Sequence, residues 1–289
     1  MLKTIQKIRC ARRDNIPLGS PKVYGVTKQK REQEIIISLT SHPHRIGSAY
    51  LTVQTLLQQD MKPDRVILWL AREQFPKTEK LPPKLLRLKK YGLEIRWYHD
   101  IRSYKKLVPT LKEFPEAIVV TADDDIYYPR HMLRVLVEEF RNHPDEVICH
   151  AVTHPVLGED GLLHINPEPG DYRGTSSYLN KMLGGTGTLY TARLLDPDIF
   201  NEVRFMAEAP TNDDIYFWAM AVKKGTKIRL AQDALATAWM TDADNQLQTS
   251  LGLYNLENNT YERVNNRILE LYPEILTRLQ EEQNISTER

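Results

Sequence analysis

The sequence predicts an α/β fold, with a mostly parallel, doubly wound sheet, helices on both faces and a C-terminal helical segment. Short continuous apolar runs recur from residue 35 to residue 152, as expected of strands buried on both faces. Helical periods fall between them, as the crossovers of parallel strands require. At 289 residues the chain can bury a large core, as one large α/β domain or two small ones.

The elements follow in order. Ile35-Ile36-Ile37-Ser38-Leu39 reads as the first strand, with a helix expected over residues 50–59. Arg65-Val66-Ile67-Leu68-Trp69-Leu70 is the second strand. After Pro82-Pro83, Leu93-Glu94-Ile95-Arg96-Trp97-Tyr98 is the third. Residues 104–114 read as a helix interrupted near Pro109, and Ala117-Ile118-Val119-Val120-Thr121 as the fourth strand. A helix is expected over 129–142, where Met132, Leu133, Leu136, Val137 and Phe140 recur at i, i+3, i+4 spacing behind Pro129. Residues 147–152 make the next strand. Residues 261–283 read as one amphipathic helix with Val264, Ile268, Leu271, Ile275 and Leu279 on its apolar side, docked on the body. Ligands of such sheets bind beyond the carboxyl ends of the strands, which directs attention to residues 40–46, 98–106 and 121–127.

Composition narrows the classes. A net charge of +1 gives no general attraction to nucleic acid. No stretch approaches the roughly 20 apolar residues of a membrane span, and no apolar run with a small-residue cleavage site marks a signal peptide. Two cysteines, Cys10 and Cys149, cannot build a disulfide framework, so a reducing, cytoplasmic compartment is expected. Residues 1–31 carry nine Lys or Arg against one acid, Asp14. They read as a solvated basic extension, with peripheral contact to an anionic membrane face as the alternative.

Thr121-Ala122-Asp123-Asp124-Asp125-Ile126-Tyr127 is the most informative segment. Three acids directly after an apolar strand repel one another where the sheet meets solvent. In an extended conformation alternate side chains point the same way, so Asp123 and Asp125 would share a face. Two hard oxygen donors there suit Mg2+ or Mn2+, which keeps waters and bridges substrate phosphates. An acidic loop capping the following helix is the plainer alternative.

The segment resembles the DXD region of GT-A glycosyltransferases. The likeness extends to Leu39-Thr40-Ser41-His42-Pro43-His44-Arg45-Ile46, to Ile67-Leu68-Trp69-Leu70 with Gln74-Phe75-Pro76, and to Tyr104-Lys105-Lys106-Leu107. These segments are similar to a bacterial family 2-like, capsular-type group, over residues 34 to 225. The resemblance implies that Thr40, Ser41 and Arg45 line a nucleotide pocket, with Asp100 and Lys106 near the base or diphosphate. It implies Asp123 as the ribose contact and Asp125, with Asp124, as metal ligand. His42 departs from the aromatic residue usual in that group, and His42 and His44 are read as loop residues rather than ligands.

In the second half, Gly184-Gly185-Thr186-Gly187-Thr188 lacks the Lys-Ser/Thr ending of a phosphate loop. Its glycines allow close approach to the backbone; the resemblance places such a stretch beside donor sugar and acceptor, and a tight turn is the other reading. Thr211-Asn212-Asp213-Asp214 opens a helix. Thr211 or Asn212 would cap it, and one acid suits its start; a second is surplus to capping. The resemblance makes this pair the base that deprotonates an acceptor hydroxyl, with Asp214 preferred to Asp213, and implies inversion. No histidine follows His164, so a C-terminal His ligand to the metal is not available. Residues 241–259 are expected to form a lid.

The expected organisation is therefore a basic extension (1–33), a catalytic domain (34–232, with a nucleotide half to 128 and an acceptor half from 129), and a C-terminal lid and helix (233–289). The expected activity is metal-dependent transfer from a nucleotide-sugar, a UDP-sugar first, to a glycan or glycolipid acceptor in surface polysaccharide synthesis. The alternatives are a non-catalytic nucleotide- or sugar-binding protein of the same fold and a haloacid-dehalogenase-type phosphotransferase. The latter's motif normally follows the first strand and has Thr or Val where Tyr127 stands. The transferase reading requires Asp123–Asp125 and Asp213–Asp214 to open onto one cleft.

Overall fold

The structure is a computed structural model, which describes residues 14–77, 80–166, 170–236, 238–241, 254–255 and 257–287. Its centre is an eight-stranded sheet. Numbered in chain order, the strands are β1 (Ile35–Thr40), β2 (Arg65–Ala71), β3 (Leu93–Tyr98), β4 (Ile118–Ala122), β5 (Val147–Cys149), β6 (Ser176–Ser177), β7 (Thr188–Tyr190) and β8 (Ile228–Leu230). They lie in the order β6-β8-β5-β7-β4-β1-β2-β3. The pairs β1/β2, β1/β4, β2/β3 and β5/β8 are parallel. Antiparallel β7 lies between β4 and β5, and antiparallel β6 closes one edge. The sheet is thus mixed but mostly parallel, with helices on both faces, a GT-A-like or Rossmann-like architecture. The apolar runs read from the sequence are its central strands, and Ile36, Ile37, Leu39, Val66 to Leu68, Val119 and Val120 are fully buried.

Among the described residues the longer helices are α1 (Ala49–Leu56), α2 (Val108–Glu113), α3 (Met132–Asn142), α4 (Glu202–Glu208), α5 (Asp213–Lys224), α6 (Thr260–Leu271) and α7 (Pro273–Thr287), besides a single turn at Pro83–Leu86. Two expectations change here. The helix interrupted near Pro109 is a 3-10 turn, Arg102–Lys106, followed by α2, which Pro109 opens in its first turn; there the missing N–H of proline costs nothing. The single C-terminal helix is two, because Pro273 cannot donate the hydrogen bond that continuation would need. Val264, Ile268, Ile275 and Leu279 are nevertheless buried, so the apolar side docks on the body.

Residues 14–33 lie along the body instead of forming a solvated arm. Ile16 packs with Tyr127 and Val26 joins the main core, while Arg31 pairs with Asp64 at 2.8 Å. Burial of two aliphatic side chains outweighs the pull of solvent on the lysines of this segment, which stay exposed at Lys22, Lys28 and Lys30. Lys3, Lys7, Arg9, Cys10, Arg12 and Arg13 lie outside the described residues, as does most of the expected lid, residues 242–253 and 256. No described helix is long and apolar enough to cross a membrane.

Register positions the functional end of the sheet. Leu39 of β1 is level with Ala122 of β4 and Thr40 with Trp69, so Ser41 and the triple Asp emerge side by side. Strand β7 runs the other way, with Thr188 opposite Thr121. Its preceding glycines therefore arrive at the same end as Asp123.

Candidate active site

A cleft of about 880 Å³ opens at the carboxyl ends of β1 and β4, within the range of small-molecule sites. Thr40, Ser41, Arg45, Asp100, Lys106, Asp123, Asp124, Asp125, Asp213 and Asp214 all line it. The two acidic sites thus face one space, as the transferase reading requires.

The triple Asp does not continue the strand. Asp124 and Asp125 form a turn between β4 and the short ribbon Ile126–Tyr127, which pairs with Trp239–Met240. The alternation argument for a shared face of Asp123 and Asp125 therefore lapses: backbone turning lets each acid find its own partner. Asp124 is buried, accepts a short hydrogen bond from the Ser41 hydroxyl, and lies 3.4 Å from Arg45. Burial and the adjacent Asp125 charge push its pKa up to about 7. Asp125 pairs with Arg45 at 2.5 Å, and its carbonyl accepts from the Thr241 N–H. Asp123 turns to the other side, with its side chain 38% exposed, and meets Lys106 at 3.0 Å.

Lys106 joins the two acidic sites. Its ammonium group, almost wholly buried, also lies 2.9 Å from Asp213 and 3.6 Å from Asp214. Burial acts to discharge it, but Asp123, Asp213 and Asp214 outweigh that and hold its pKa well above the ordinary lysine value.

Asp213 and Asp214 start α5, yet the expected cap is absent. Asn212 makes no side-chain cap; its amide donates instead to Thr211 and Thr260. Asp213 is engaged on both oxygens, by the Ser103 hydroxyl at 2.7 Å and by Lys106. Asp214 receives the Gly184 N–H on Oδ2 at 3.0 Å, its Oδ1 makes no hydrogen bond, and its side chain is 31% exposed. Burial pushes its pKa up to about 6, with Lys106 opposing.

Gly184–Thr186 is a 3-10 turn before β7. A Cβ on Gly184 would lie 2.5 Å from Asp214 Oδ1, and one on Gly185 would lie 2.6 Å from Asp123 Oδ2. Both glycines are required by carboxylates pressed against the backbone, and the Tyr128 hydroxyl joins the Gly185 carbonyl to the Asp123 N–H. At the other end of the cleft Asp100 pairs with Lys105 at 2.5 Å and accepts from Gln74, so it neighbours Lys105 rather than Lys106. His42 lines the cleft; burial, with Arg45, His44 and Lys105, lowers its pKa to about 4, which keeps it neutral.

Sequence reading missed Ser103, one 3-10 turn before Lys106, and the pairing of Arg45 with Asp124 and Asp125. It also missed a wall formed by Leu183, Met240, Asn255 and Tyr261. Spacing could have suggested Ser103. Nothing local marks the other four, which come from separate parts of the chain.

No family model matches the chain, and no curated protein does. Among solved structures it is similar to S. aureus TarS 1-349, with TM-score 0.47 and 14% identity over 71% of this chain and 59% of that one. It is also similar to CMP:2-keto-3-deoxy-manno-octonic acid synthetase complexed with CTP, with TM-score 0.45 and 15% identity over 78% of this chain and 100% of that one. A third is mannosyltransferase PcManGT from Pyrobaculum calidifontis in complex with GDP-Man and Mn2+, with TM-score 0.33 and 15% identity over 51% of this chain and 43% of that one. The chain therefore spans less than two thirds of TarS 1-349 and of PcManGT. At this level of similarity the chemistry has to be read from the residues themselves.

Proposed function

We propose that the protein transfers a glycosyl group from a nucleotide-sugar, a UDP-sugar being the expected donor, to an acceptor hydroxyl, with inversion and with Mn2+ or Mg2+. One observation supports this above all: Asp123 of the first acidic site and Asp213 and Asp214 of the second share Lys106 within one cleft.

The charge of the cleft suits a divalent cation. Six acids line the cleft (Asp100, Asp123, Asp124, Asp125, Asp213, Asp214) against four basic residues (Arg45, Arg102, Lys105, Lys106). A diphosphate entering such a cleft meets net repulsion unless a dication accompanies it. Among the described residues no three His, Cys, Asp or Glu converge on one point. For Asp125 and Asp123 to hold one ion together with donor phosphates and water, the usual way Mg2+ is bound, Asp125 would exchange Arg45 for the cation and Asp123 would turn back from Lys106. The cation, when bound, supplies stabilisation of the charge on the departing diphosphate.

The chain's own groups do the rest. Arg45 and Lys106 offer charge-assisted hydrogen bonds to phosphate oxygens. Thr40, Ser41 and Asp100 are assigned to the nucleotide, and Gly184 and Gly185 to the sugar side, where they seat the carboxylates of Asp214 and Asp123. Asp214 is favoured over Asp213 as base because its side chain is 31% exposed to the cleft against 9% for Asp213. The Asp214 carboxylate accepts the acceptor's proton as the acceptor oxygen bonds to the anomeric carbon. The bond from that carbon to the diphosphate oxygen breaks, and its electron pair leaves with the diphosphate. In this reading residues 34–128 hold the nucleotide and residues 129–232 the acceptor. A glycan or glycolipid acceptor remains the expectation.

Melting curves with nucleoside diphosphates, with and without Mn2+, test the reading. UDP with Mn2+ should raise Tm, since a ligand bound only by the folded state stabilises it. Asp125→Ala should abolish the Mn2+-dependent part. An undiminished shift in that variant would remove Asp125 from the cation site, and no shift with any diphosphate would remove the donor.

A further inference from the structure

The charge in the cleft is unevenly placed. All ten charged side chains belong to the nucleotide end or to the two acidic sites, whereas Leu183, Thr211, Met240, Asn255 and Tyr261 contribute none. This uncharged wall is anchored around the proposed base. Leu183 precedes Gly184, whose N–H holds Asp214. Thr211 lies three residues before Asp214 and exchanges hydrogen bonds with Asn255, donating at 2.9 Å to its side-chain oxygen and accepting at 2.9 Å from its side-chain nitrogen on the Thr211 carbonyl. Tyr261 stands in the first turn of α6, half-buried, with Asp214 and Asp213 close enough to help burial raise its pKa. Met240 is level with Ile126, beside Asp125.

The wall is apolar where it is open. Leu183 is 38% exposed and Met240 54%, and the Tyr261 ring completes a surface of CH and π groups. The polar groups behind it are already satisfied: Asn255 is buried and bonded to Thr211 and to the Tyr261 side chain. Lys181 is buried and donates to Asn265 at 3.3 Å; burial lowers its pKa to about 8 and Asp214 opposes that, so what charge it keeps is matched by that acid. A pyranose ring presents complementary chemistry, since its CH face packs on apolar and aromatic groups while a rim hydroxyl can reach a carboxylate. Among the described residues, an acceptor carrying carboxylate or phosphate would find no cation on this wall and two acids beside it, an arrangement of like charges that selects against a ligand.

We infer that the wall of Leu183, Met240 and Tyr261 beside Asp214 is an acceptor subsite for an uncharged pyranoside, selecting neutral over anionic saccharides. This rests on the transferase reading, and the test separates the two. Donor hydrolysis without acceptor is measured first over a panel of nucleotide-sugars. Transfer is then compared between neutral methyl pyranosides and oligosaccharides and their matched uronic acids and sugar phosphates. Neutral members should be preferred by roughly a hundredfold in kcat/KM. Tyr261→Ala should lower the ratio of transfer to hydrolysis about tenfold, whereas Tyr261→Phe, which keeps the ring, should largely preserve it. Donor hydrolysis with equal or better use of anionic acceptors, or with no transfer to any pyranoside, overturns the subsite and leaves the transferase reading standing. So does an unchanged ratio in Tyr261→Ala. Absence of hydrolysis and of transfer with every donor overturns both.

Discussion

Asp124 and Asp214 are the same side chain at one cleft, and the structure gives them opposite surroundings. Asp124 is shut in a turn, bonded to Ser41 and close to Arg45, and burial with its neighbour Asp125 raises it to about 7. Asp214 stands at a helix start with Oδ2 fixed by a backbone N–H and Oδ1 3.6 Å from Lys106, its side chain partly open to the cleft and raised by burial to about 6. In the proposed function the first holds a position and the second exchanges a proton. Neighbours rather than residue type divide the labour, and Lys106 is the neighbour that Asp214 shares with Asp123 and Asp213.

The comparison breaks most visibly if that lysine is removed. Lys106→Met should leave Asp213 and Asp123 without their cation; loss of one partner of a buried pair typically costs about 3–5 kcal/mol. Urea denaturation should show that loss, and a change below about 1 kcal/mol would mean that the acids do not depend on Lys106. Next, Asp214→Asn should lower kcat by ~10² to 10⁴ with donor KM little changed. Asp213→Asn should cost less, and the reverse order would exchange their roles. The pH profile sharpens the same point. A base must be ionised, so kcat should fall as pH drops through about 6, where the raised carboxyl of Asp214 takes up its proton. Asp214→Asn should erase that acid limb. Smallest is Gly184→Ala, whose new Cβ would press on Asp214 Oδ1 and shift the base; roughly a tenfold loss of kcat is expected, in keeping with the cost of a small misplacement at a reacting group.

Much of this was legible in the chain. Ile35–Thr40, Arg65–Ala71, Leu93–Tyr98 and Ile118–Ala122 are strands where apolar runs predict them, because a strand covered on both faces needs apolar residues at nearly every position. Each residue selected for the site lines the cleft or, for Gly184 and Gly185, presses on its carboxylates. Less legible were features of partners distant in sequence. The acids turn instead of running on as a strand because Ser41 and Arg45 compete for Asp124 and Asp125. Asn212 is diverted from capping by Thr260, 48 residues away. The Pro273 break was readable and went unread, since the apolar spacing continues across it.

The sequence by itself determined which segments are strands, where acids, glycines and basic residues fall on the chain, and that the central strands lie in a parallel sheet, because period and hydrophobicity are local properties. Only the tertiary structure decided that β7 enters antiparallel beside β4, that one lysine serves two acidic sites 90 residues apart in Asp123 and Asp213, and that an uncharged wall faces Asp214. Those outcomes depend on electrostatic and packing contacts between distant segments, whose strength is set by burial and distance, and neither quantity exists before the chain has folded.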